Sequence, residues 1–139
     1  NYSQFLQIEL KQHFADVTSY AIGYNGQNHP RGWNLTVSAD GVKWKTIHST
    51  YENTDLNGTE GVIYSVKPKG YVRFFKWILT QTNPGYNCAF YLRKLDLYGT
   101  FAECDYNCAV VPILYRCTQS ITPYLHIIYL NIIVFITSS

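Results

Sequence analysis

A chain of 139 residues with a net charge of +2 is one domain by size, and long enough to bury a core without disulfides or metals. Only 14% of its residues are charged while 17% are aromatic, including 13 Tyr and 3 Trp, a balance that suits pleated strands. The basic residues are scattered, which argues against a nucleic-acid surface, and His13, His29, His48 and His126 fall into no triad or metal motif.

In chain order, FLQIEL (5–10) sets Leu6, Ile8 and Leu10 on one face against Phe5, Gln7 and Glu9, the period-2 pattern of a half-buried strand. Lys11 to Asp16 reads as a polar turn. Val17 to Tyr24 reads as a second strand with Tyr20 and Ile22 on one face, and NGQNHPRG (25–32) as the first substantial loop. WNLTVSADGVKW (33–44) then predicts a hairpin. Trp33, Leu35 and Val37 alternate with polar residues, Asp40-Gly41 supplies the turn, and Trp44 continues the alternation toward Ile47. Both tryptophans are expected in one core as its anchors.

Gly61 to Val66 makes a further strand. Tyr71 to Thr80 is expected to be the longest, with Val72, Phe74, Lys76 and Ile78 facing one way and Arg73, Phe75, Trp77 and Leu79 the other. Apolar residues on both sides suit a central strand, and Phe74 and Trp77 join Trp33 and Trp44 as expected core anchors. Asn83-Pro84-Gly85-Tyr86-Asn87 is a turn, and Phe90 to Gly99 closes the alternating pattern. About seven short strands without a helical period predict an all-β antiparallel sandwich.

Composition changes after Thr100. Residues 1–100 are read as the domain and residues 101–139 as a cysteine-containing, apolar tail outside it. Ile121 to Ile136 is weighed as a membrane tether, but it is shorter than a spanning helix needs and holds His126 and Asn131; its Ile/Val richness equally suits a strand. Cys88 stands apart from Cys104, Cys108 and Cys117, and the spacing makes no metal site. Sequons at Asn1, Asn34 and Asn57 would be glycan acceptors in a secreted protein, whereas no leader segment is visible. The chain reads as a fragment lacking its beginning, and intracellular and cell-surface locations both stay open.

The order of motifs resembles the discoidin-like domains, the coagulation factor V/VIII C-terminal type on a galactose-binding-like scaffold. It is carried by FLQIEL, SYAIGY, W-x-L-x-x-S-x-D-G-x-x-W, DLNG, RFFKWILTQT and LRKLDLYG, over roughly residues 3–100. The resemblance implies a jelly-roll sandwich that binds glycans, anionic phospholipid or proteins through loops at one end, and that does no catalysis. It places Asn25, Asn28, His29 and Arg31 in one ligand loop and Asn83 and Tyr86 in another. Two further ligand loops and the closing disulfide of many members would lie before FLQIEL and have no counterpart here. The DLNG variant resembles an intracellular branch often found beside BTB modules.

The function expected is therefore a non-catalytic ligand-binding module for a glycan or protein, with no cofactor and no nucleic acid. The alternative is a protein-interaction domain of an intracellular multidomain protein. Amides, an imidazole and a guanidinium in 25–31 suit sugar hydroxyls or an anion, and Tyr24 or Tyr86 could stack on a ring. That loop has no exposed apolar tip, which disfavours insertion into phospholipid.

Overall fold

The computed structural model describes residues 2–10, 13–23, 29–56, 61–67, 70–82, 94–103, 121–126 and 133–138. Its strands are β1 (Tyr2–Glu9), β2 (His13–Gly23), β3 (Pro30–Ser38), β4 (Lys45–Thr50), β5 (Val62–Ser65), β6 (Phe74–Thr82), β7 (Lys94–Glu103), β8 (Ile121–His126) and β9 (Ile133–Ser138). They form two antiparallel sheets, ordered β4-β3-β6-β1-β9 and β5-β2-β7-β8, packed as the β-sandwich that the alternation predicts.

The inward rows are those the period-2 pattern marks. Leu6, Ile8 and Leu10, Tyr20 and Ile22, Trp33, Leu35 and Val37, Phe75 and Trp77, and Leu95 and Leu97 are all buried in one core. Strand β6 lies at the centre of its sheet, between β3 and β1, which explains its apolar character on both faces. Strand pairing also demands one close approach: a Cβ on Gly99 would come within 2.2 Å of the Asp16 carbonyl oxygen. No side chain fits there without moving β2.

Several expectations are corrected. Lys11 to Asp16 is not simply a turn, because β2 begins at His13 and, at 11 residues, is the longest strand among the described residues. Strand β6 starts only at Phe74. The preceding Val72 instead exchanges two main-chain hydrogen bonds with Ala15 of β2 (2.7 and 2.9 Å), while Arg73 is tied through its carbonyl to Leu10 and through its N–H to Ser38. Trp44 lies before β4, and with Phe74 it packs on the outer face of the five-stranded sheet, both half-buried. Trp33 and Trp77 are core anchors; Trp44 and Phe74 are not. The turn explains the difference, because Asp40 holds residues 41–43 in a tight cap that leaves Trp44 outside the sheet.

The division at residue 100 is also redrawn. Strand β7 runs through to Glu103, β8 pairs with it, and β9 pairs with β1. The Ile/Val-rich segments are therefore edge strands of the sandwich. No helix among the described residues is long and apolar enough to cross a membrane. The four cysteines lie outside the described residues.

Candidate functional site

One end of the sandwich gathers the strand ends that carry the predicted loops. Register sets Pro30 opposite Thr82 and Gly23 opposite Lys94. Residues 24–28 and 83–93 therefore spring from the same end, the first joining β2 to β3 and the second β6 to β7. Asn25, Asn28, Asn83 and Tyr86 lie outside the described residues. Of the first loop, the structure places His29 and Arg31.

His29 is buried, and its Nδ1–H donates to the Pro30 carbonyl at 3.0 Å. It is part of the stem of the loop, not of an open binding surface. Arg31 is half-buried, its Nε sealed without a hydrogen-bond partner among the described residues, and its carbonyl accepts the Asn53 N–H at 2.8 Å. Next to it, Glu52 holds a left-handed backbone, φ 53°, fixed where its N–H donates to Gln81 Oε1 at 2.7 Å. A non-glycine residue in that region stores of the order of 1 kcal/mol. Such strain collects where backbone position matters.

Below this end, the margin between the two sheets is closed by an aromatic and polar cluster. Tyr20 is fully buried and receives the Trp33 indole N–H at 2.7 Å. Its hydroxyl also lies 2.7 Å from His48 Nδ1. The His48 ring packs 5.5 Å from Tyr64, bringing edge strands β4 and β5 together. Asn53 Nδ2 donates to the Tyr64 hydroxyl (3.2 Å) and to Thr50 (3.1 Å), while its Oδ1 accepts the Asp55 N–H (2.7 Å). Leu56, fully buried, pins the segment that crosses between the sheets.

Burial sets the ionisation here. Desolvation pushes the Tyr20 hydroxyl far above its ordinary pKa, and raises Tyr64 to about 12 with a smaller contribution from the Asp55 carboxylate. Desolvation likewise holds His48 below the usual histidine value. The cluster is neutral near pH 7.

His48 reaches the cluster through a β-bulge. Leu35 pairs with His48 and Thr36 with Thr46, so Ile47 is an extra residue in β4. The extra residue reverses the phase of the strand: Thr46 keeps the outward side while His48 turns in beside Leu35. His48, Asn53 and Tyr64 were not singled out as site residues from the sequence. A Trp–Tyr–His hydrogen-bonded series has no fixed spacing along a chain.

Other candidates serve the fold. Arg73 is buried, ion-paired with Glu9 and stacked on Phe74, while Lys76 Nζ sits 4.2 Å over the Trp44 ring and 5.0 Å over Phe5. At the opposite end, a cleft of about 210 Å³ is lined by Val37, Ser38, Asp40, Lys43, Lys45 and Tyr71, among others. It stands apart from the loop stems.

No family model matches the chain, and no curated protein matches it significantly. Among solved structures, the C-terminal domain of a chitobiase from Bacteroides fragilis has a similar fold, with a TM-score of 0.55 and 19% sequence identity. The likeness covers 71% of this chain and 64% of that one, so the chain spans less than two thirds of its structural neighbour.

Proposed function

We propose that this chain is a non-catalytic module that binds a glycan at the end of the sandwich from which residues 24–28 and 83–93 emerge. The observation that carries the reading is the shared origin of those two loops, set by the pairing of β2 with β7 and β3 with β6, beside Arg31, Glu52, Asn53 and Gln81. Loops carried on a sandwich scaffold are where binding residues commonly sit. The discoidin-like resemblance expects its ligand at the same place, and the structural neighbour comes from a protein named for its action on a sugar. Of the described carboxylates, Glu9 pairs with Arg73, Asp96 lies 3.5 Å from Lys94, and Asp40 caps a turn.

A glycan array probed with the chain and with Arg31→Ala tests the proposal. The expected outcome is selective binding by the parent and loss of about tenfold or more in the variant, the worth of one charged hydrogen-bonding group. A folded parent that binds no glycan overturns it. A protein-interaction module is the second reading, favoured by the apolar residues that stand out from the surface, Val42 at 79% exposure, Tyr51 at 67% and Ile63 at 64%. In that case affinity capture, not the array, identifies the ligand.

A further inference from the structure

We infer that His48 is a ligand-contacting residue, donating a hydrogen bond from Nε2–H to a hydroxyl or acetamido oxygen of a neutral sugar resting on the outside of the margin where β4 and β5 meet. The inference rests on the glycan-binding reading and extends its site from the loops onto the margin of the sandwich.

The argument begins with donors and acceptors. The Trp33 indole N–H can only donate, so the Tyr20 oxygen accepts from it. Tyr20 has one proton, and His48 Nδ1 is the group 2.7 Å away on the other side. The buried Tyr20 proton has no other acceptor among the described residues, which makes Nδ1 the bare, accepting nitrogen. A neutral imidazole carries a single N–H, which is left on Nε2. The series Trp33, Tyr20, His48 thus fixes a tautomer from within the core, in the way a partner on one ring nitrogen sets the role of the other. Burial, which disfavours the imidazolium, keeps the ring in this neutral state.

Nε2 itself has no hydrogen-bond partner among the described residues and is not sealed from solvent. It is an oriented donor left open at a half-buried surface. Around it lie the half-buried Tyr64 ring, and beyond that Asn53 and Thr50 joined by their own hydrogen bonds. The titratable groups that face the cluster are Tyr20 from β2, Tyr64 from β5 and Asp55 from the crossing segment. No cation among them would hold an anion, and Asp55 would repel one. An apolar ring beside fixed donors suits a neutral, polyhydroxylated ligand instead.

The test uses the whole chain. Long-range proton–nitrogen NMR of the imidazole reads the tautomer directly, without any variant. The spectra are then titrated with galactose, N-acetylglucosamine and chitobiose, alongside His48→Phe, His48→Gln and Tyr20→Phe. The expected result is an Nε2–H tautomer whose signals shift on saturation with one of these sugars. His48→Phe should bind about tenfold more weakly, with partial rescue in His48→Gln, which keeps a donor and an acceptor. Tyr20→Phe should release the tautomer and weaken binding less than His48→Phe.

An Nδ1–H tautomer in the parent overturns the inference. So does equal binding by the parent and a folded His48→Phe. A parent that shows the Nε2–H tautomer but binds none of the sugars, on the array or in solution, fails at the glycan reading itself and takes the His48 contact with it.

Discussion

Asp40 Oδ1 accepts hydrogen bonds from the Val42 and Lys43 amides and from the Ser38 hydroxyl. The two amides contribute most to lowering its pKa, from 3.8 to about 2. A depressed carboxylate stabilises the fold in full above its unfolded value and loses that contribution as pH falls through the folded one. Asp40→Asn should therefore melt at a lower temperature than the parent at pH 7, and the gap should close between roughly pH 4 and pH 2. Melts across that range check it; a gap independent of pH would assign the turn to something other than the charge. The Ser-x-Asp-Gly signal was legible because turn chemistry is local. Gly41 adopts φ 79°, and a Cβ there would come within 3.1 Å of Phe74, so both features of the glycine are used. The role of His48 was not legible at this scale, because it depends on a partner 28 residues away.

At the scale of elements, the two tryptophans of the expected hairpin separate into different roles. Trp33 is fully buried and donates to Tyr20; Trp44 is half-buried, edge-on to Phe74 and beneath Lys76. Trp33→Phe leaves the buried Tyr20 oxygen without its donor and a gap beside it, and should cost about 2–4 kcal/mol. Trp44→Phe should cost less than about 1 kcal/mol, because water can take up the lost indole contact. Urea unfolding of the two variants decides the matter, and equal losses would contradict this placement. The inward rows of β1, β2, β3 and β6 could be read from alternation alone. What could not be read was phase. Ile47 in β4 and Thr18 in β2 each interrupt the register, and one inserted residue exchanges the faces of everything beyond it.

Across the whole molecule, the sandwich was legible and its extent was not. Ile/Val-rich segments at 121–126 and 133–138 fit a strand, a span or a tail equally well by composition, and only pairing with β7 and β1 distinguishes them. These strands occupy the margin opposite the His48 cluster, at the far edge of each sheet. A chain ending at residue 103 would uncover the backbone of β1 and β7 at once. It should lose soluble yield and self-associate, as bare sheet edges do, and sedimentation of the shortened and full chains measures this. Undiminished solubility as a monomer would show that 121–138 adds nothing to the sandwich.

The paired hydrogen bonds between Ala15 and Val72 join the segment leading into one sheet to a strand of the other, while Arg73 ties the same segment to Leu10 and Ser38. Two layers held by side chains alone could slide; here the backbone itself bolts them together at the end away from the loops. Nearer the loops the two sheets are joined by side chains instead, through Trp33, Tyr20 and His48.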